Sequence, residues 1–128
     1  MQPIQLFDLA SRQAQWLAVR QNVVAGNIAN ANTPKYLAKD VTPFESVLKG
    51  AGGGFQMAAT NPAHFTDGSE AAQVVQTSAI DGAEVQQSGN NVSLEDELMK
   101  SGQVKREFEL NAGLVKAFHR MMLMTVRK

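Results

Sequence analysis

The sequence contains no cysteine, which excludes a disulfide framework, a thiolate metal site and a cysteine nucleophile. Aromatic residues are scarce, 6% of 128 residues against 44% apolar overall, so aliphatic side chains must fill most of the core. Excess charge is absent too, since 12 basic residues balance 12 acidic ones. No basic stripe interleaved with aromatics is present, and nucleic acid is therefore not expected as a partner. No apolar window reaches the length of a membrane span, and MQPIQLFDLA lacks the basic start and long apolar stretch of a cleaved secretory signal.

Candidates for catalysis are equally thin. The two histidines, His64 and His119, lie in different regions, and no Asp, Glu or His stands three or four residues from His119 to complete a metal pair. Both read as structural or exposed. The run GAGGG at 50–54 has no Gly-Lys-Ser/Thr after it, so it reads as a flexible break and not as a phosphate loop. Glu95, Asp96 and Glu97 are consecutive, and helical neighbours about 100° apart cannot converge on one ion. No enzyme, metal, cofactor or small-molecule substrate is expected.

What the chain does have is helical periodicity at both ends. From Ile4 to about Ala31 the apolar residues Leu6, Leu9, Ala10, Trp16, Leu17, Val23, Val24, Ile28 and Ala31 fall on one side, with Gln13, Arg20 and Gln21 as polar intrusions. Pro3 suits a first helical turn, and Thr33 before Pro34 is pushed out of the α region, which predicts a helix end near Asn30 to Asn32. A second helix is predicted from GNNVSLEDELMK almost to Lys128. Ser93 caps it, and Glu95, Asp96 and Glu97 complement the positive end of its dipole. Between them Thr42-Pro43, GAGGG, Asn61-Pro62 and Asp67-Gly68 break any period, and residues 73–87 allow at most a short hairpin turning at Asp81-Gly82.

The predicted fold is mainly α. It is a single unit with an N-terminal helix within 1–32, an irregular Gly/Pro-punctuated middle at 33–91 and a C-terminal helix within 92–128. The two helices pair as an antiparallel coiled coil.

The C-terminal helix carries two apolar lines. Leu110, Leu114, Ala117, Met121 and Met124 step by 4, 3, 4 and 3, while Val104, Phe108, Val115, Phe118 and Met122 run beside them. One antiparallel partner needs only one such line. Helices of about 28 and 35 residues are about 42 and 52 Å long, and leaving the second line in water exceeds the apolar patch usual for a monomer. The surplus points to oligomerisation. Charge is unevenly spread as well: the net is +2 over residues 1–50, −6 over 51–100 and +4 over 101–128, a pattern suited to contacts between copies.

Two polar segments flank the helices. GNIANANTPKY places Asn27, Ile28, Asn30, Asn32, Thr33, Pro34 and Tyr36 at the exit of the first helix, and Asn90 and Asn91 precede the second. Amides both donate and accept, so Asn27, Asn30 and Asn32 are expected to satisfy backbone groups at the turn or in an adjacent subunit. NIANANTP followed by an aromatic, together with GNNVSLEDE before the last helix, resembles the flagellar rod and hook protein family of bacteria. TNPAHF at 60–65 is similar to a central segment of that family.

The resemblance implies terminal helices that pair into an inner coiled coil and polymerise into a tube. The short middle fits a proximal rod subunit. The partners it implies are copies of the chain, other rod proteins, the junction of membrane ring and export gate, and the flagellar type III export apparatus. It also implies export without a cleaved signal into the periplasmic rod of the basal body, where the role is transmission of torque. The family usually has Gly where this chain has Lys35, and a positive φ there costs lysine about 1 kcal/mol. Two other readings stay open: a sister proximal rod protein, and a soluble helical export adaptor or chaperone binding through Met121, Met122 and Met124.

Overall fold

The computed structural model describes residues 3–51, 74–76 and 86–126. Helix α1 spans Pro3–Ala29, strand β1 Lys39–Val41, helix α2 Phe44–Ala51, strand β2 Val74–Gln76 and helix α3 Leu94–Val126. The long helices lie side by side and antiparallel. Asn27 meets Glu97, Gln21 meets Ser101, Ala10 meets Asn111 and Phe7 meets Phe118 in turn. No helix among the described residues is long and apolar enough to cross a membrane.

The helix boundaries have local causes. Ser93 carries out its capping role, its Oγ accepting from Asp96 N at 3.5 Å and its carbonyl from Glu97 N at 3.1 Å. At the other boundary Asn30 N still donates to Gly26 O at 3.1 Å, and the chain then breaks into turns ahead of Pro34.

Two features of the middle differ from the sequence reading. Helix α2 is present where Thr42-Pro43 and Gly50 suggested only irregular chain. Pro43 accepts from Ser46 N at 2.9 Å and so opens the helix, Glu45 and Lys49 form an i,i+4 pair at 2.8 Å, and Phe44 and Val47 turn inward. Gly50 and Ala51, the first two residues of the GAGGG run, are helical, whereas residues 52–54 lie outside the described residues. Strand β2 pairs antiparallel with β1, in the register Lys39 to Gln76 and Val41 to Val74. Its partner is thus over 30 residues upstream, a pairing that no local turn could announce. Residues 77–85, including Asp81-Gly82, lie outside the described residues, as do His64 and TNPAHF.

The core sits where α1, β1, α2 and α3 converge. Trp16, Leu17, Val41 and Val104 are buried together, with Val19, Val23, Phe44 and Val47 packed around them. Trp16 explains how one large ring organises several elements. Its Nε1 donates to Thr42 O at 2.8 Å, its ring lies 5.8 Å from that of Phe44, and the Arg20 guanidinium stands 5.3 Å over it.

Leu17 is 1% exposed and Leu110 is 74% exposed. Leu17→Ala should lower stability by about 2–5 kcal/mol, whereas Leu110→Ala should change it by less than about 0.5 kcal/mol. Urea unfolding followed by helical circular dichroism checks both.

Candidate assembly site

The asparagine segments at the two ends of the chain bind each other. Asn90, fully buried, donates through Nδ2 to three carbonyls just past the end of α1: Asn30 O at 2.9 Å, Ala31 O at 3.0 Å and Thr33 O at 2.8 Å. Two of these carbonyls also close turns of the backbone, Asn30 O accepting from Thr33 N at 3.0 Å and Thr33 O from Tyr36 N at 3.3 Å, so Asn90 ties the whole exit of the helix together. The Oδ1 of Asn90 accepts from Val92 N at 2.8 Å, which fixes the approach to α3. Asn91 Oδ1 accepts from Ala38 N at 2.6 Å, and Asn91 N donates to Tyr36 O at 3.4 Å.

Asn27 does the reciprocal task from α1. It is also fully buried, donates to Lys39 O at 2.7 Å and Glu97 Oε2 at 3.0 Å, and accepts from Lys39 N at 3.0 Å and the Tyr36 hydroxyl at 3.4 Å. Asn30 closes its own turn, donating from Nδ2 to Gly26 O at 2.8 Å and accepting from Thr33 Oγ1 at 3.1 Å. Asn32 differs from its neighbours: it is exposed, as are Thr33 and Pro34. The amides at 27, 30, 90 and 91 therefore satisfy groups of this same chain.

The turn at Lys35 has a positive φ of 60°, so lysine occupies a left-handed position that glycine adopts without strain. Lys35 N donates to Ser88 O at 3.0 Å. Opposite it, Gly89 has φ 78°, and a Cβ there would meet the Lys35 Cα at 3.6 Å. One of the two facing positive-φ residues is thus a glycine, and the strain is confined to the other.

Beneath the junction lies a charge cluster that the sequence reading missed. Glu97, only 2% exposed, meets Lys100 Nζ at 3.0 Å; Lys100 also stands 3.6 Å from Asp40, and Arg20 Nε lies 3.4 Å from the same carboxylate. Two acids and two bases neutralise one another across α1, β1 and α3, which is what allows Glu97 to be buried. Sequence reasoning took Glu97 with Glu95 and Asp96 as first-turn charge; only the latter two are exposed. Arg20, a cation on an otherwise apolar face, was the available sign. Asn111 was missed as well. It stands seven residues from both Val104 and Phe118, and its Nδ2 donates to Ala10 O at 2.8 Å, a polar contact that fixes how the two helices align.

The two apolar lines of α3 separate except at Phe108. Val104 is buried, Val115, Phe118 and Met122 are half-buried against α1, and Phe118 meets Phe7 edge-on at 5.6 Å. Phe108, read as part of that line, is 52% exposed, because its position has rotated to the flank of the contact. The other line faces away from α1: Leu110, Leu114, Met121 and Met124 are 74%, 53%, 55% and 67% exposed. On α1, Trp16, Leu17 and Val24 are buried, and Leu9 and Ile28 half-buried. His119 is exposed, and no group of three His, Cys, Asp or Glu among the described residues is placed to hold a metal.

Comparison with known proteins matches residues 10–36 to the family described as flagella basal body rod protein, a stretch that covers most of α1 and ends at Tyr36. Over 130 residues the chain is 57% identical to the flagellar basal body rod protein FlgB of Agrobacterium fabrum (strain C58 / ATCC 33970), covering 100% of this chain and 97% of that relative. The sister rod protein and the export adaptor are not favoured by a match of that extent.

One substitution at two asparagines separates the junction from its surface. Asn90→Asp sets a carboxylate against three carbonyl oxygens in a buried site and should cost at least about 3 kcal/mol. Asn32→Asp, on an exposed residue, should stay within about 0.5 kcal/mol. Thermal unfolding of the two variants side by side measures the difference.

Proposed function

The chain belongs to the flagellar basal body rod protein family, as a FlgB, and is a structural subunit of the rod; from that premise we propose that it forms part of the proximal rod and transmits torque through its packed helices. It assembles with other rod and basal-body components. The observation that carries the mechanical reading is the outward line of α3. Leucines and methionines at 4-3 spacing, more than half exposed and parallel to the helix axis, need a helical neighbour to cover them.

In this reading the inward line holds the chain's own two helices together and the outward line holds the subunit in the tube. Residues 1–128 then act as one unit. The neighbours are copies of the chain, other rod proteins and the junction with the membrane ring and export gate. The chain reaches the periplasmic rod through the flagellar type III export apparatus. The role is mechanical and needs no catalysis.

The two lines make different predictions when a charge is placed in each. Leu114→Asp, on the outward line, should leave the helical content and unfolding of the isolated chain nearly unchanged while abolishing rod assembly and swimming. Phe118→Asp removes the contact with Phe7 and should lower the stability of the chain itself by about 3 kcal/mol or more. Motility on soft agar, set beside unfolding of the purified chains, checks both. Normal swimming with Leu114→Asp would remove the basis for the outward line as an assembly surface.

A further inference from the structure

We propose that Met99, Met121 and Met124 form a reversible oxidation site, at which a peroxide converts the outward face of α3 from apolar to polar without disturbing the fold. The proposal rests on reading that face as an assembly surface, and it adds a chemical control of the same surface. Cysteine is absent, so thioethers are the chain's only sulfur, and four of the six methionines lie on α3. Three of these four are well exposed: Met99 at 66%, Met121 at 55% and Met124 at 67%. The fourth, Met122, is half-buried on the side that meets α1. Met121 and Met124 are three residues apart, and Met99 lies 22 residues, about six turns, before Met121. All three therefore share the side of the helix that carries Leu110 and Leu114.

The chemistry balances with hydrogen peroxide alone. The thioether sulfur attacks the peroxide, the O–O bond breaks, an S–O bond forms, and water leaves as sulfur is oxidised to the sulfoxide. A dithiol-dependent methionine sulfoxide reductase reverses the step: the dithiol becomes a disulfide and the sulfoxide oxygen leaves as water. The sulfoxide is a polar acceptor where the thioether was a soft apolar group. A helix laid over Leu110 and Leu114 would have to bury that oxygen without a donor, which opposes the contact. The inward side behaves differently, because α1 shields Met122 and the packing partners Val104 and Phe118 contain no sulfur. Oxidation of the three outward methionines thus leaves the helix pair intact and alters only the face that awaits a neighbour.

Peptide mass spectrometry of the full-length chain during exposure to hydrogen peroxide reads the site directly. Met99, Met121 and Met124 should gain oxygen several-fold faster than Met122, while helical circular dichroism and urea unfolding stay unchanged. Equal rates at Met122, or loss of helix as the outward three are oxidised, overturns the proposal. The consequence for assembly is read in cells. Chain carrying Met99→Leu, Met121→Leu and Met124→Leu together, a volume-conserving exchange, should keep building flagella through a peroxide exposure that lowers their number several-fold in cells with the unaltered chain. Equal loss in both strains overturns the proposal. Met121→Gln with Met124→Gln sets a permanent polar group at two of the sites and should lower flagellar number without any peroxide, with the fold of the purified chain unchanged. Normal flagella in that variant, beside a Leu114→Asp strain that cannot swim, reject the oxidation site alone; normal swimming with Leu114→Asp rejects the assembly surface itself.

Discussion

Just past the end of α1 the backbone turns back on itself, and a single buried amide gathers three of its carbonyls. Asn90 Nδ2 reaches the carbonyls of residues 30, 31 and 33, while its Oδ1 orients Val92, two residues ahead of the first residue of α3. The end of one long helix and the start of the other are thereby tied to the same side chain. Asn27 reaches across in the opposite direction to Glu97. Once this junction is set, the two helices must leave it side by side, and the Asn111 contact with Ala10 O fixes their alignment again farther along.

The arrangement divides the labour of the polar and apolar residues. Amides and paired charges gather at the closed end, where the backbone changes direction and water is excluded. Beyond that end the inward line of α3 packs on α1, and the outward line remains uncovered. The helix pair is thus fixed internally, while the outward face is the one proposed to meet neighbouring subunits. The chain's membership of the basal body rod family accords with this division.

Much of this architecture was legible in the residues. The 3.6-residue period marked both long helices, Ser93 marked the start of the second, and the 4-3 spacing marked two apolar lines on α3. The less legible parts each depended on a distant residue. The short helix α2 hid between Pro43 and Gly50, which read as punctuation although Phe44, Val47 and Leu48 had helical spacing. Strand β2 found its partner in β1 across a long stretch of chain. Glu97 read as a cap charge because Asn27, which donates to it, lies on α1, and Lys100, which pairs with it, is held in turn by Asp40 of β1.

The sequence by itself determined that the two terminal stretches are long helices, where they meet the middle of the chain, and that an apolar surplus exists on the second. Those properties follow from periodicity, capping and the fixed φ of proline, all of which act within a few residues. Only the tertiary structure decided which apolar line meets α1, and that the asparagines serve this chain's own backbone. It also decided that Lys35 takes a positive φ opposite Gly89. Each of these depends on which groups lose water together, and that is fixed when distant segments pack.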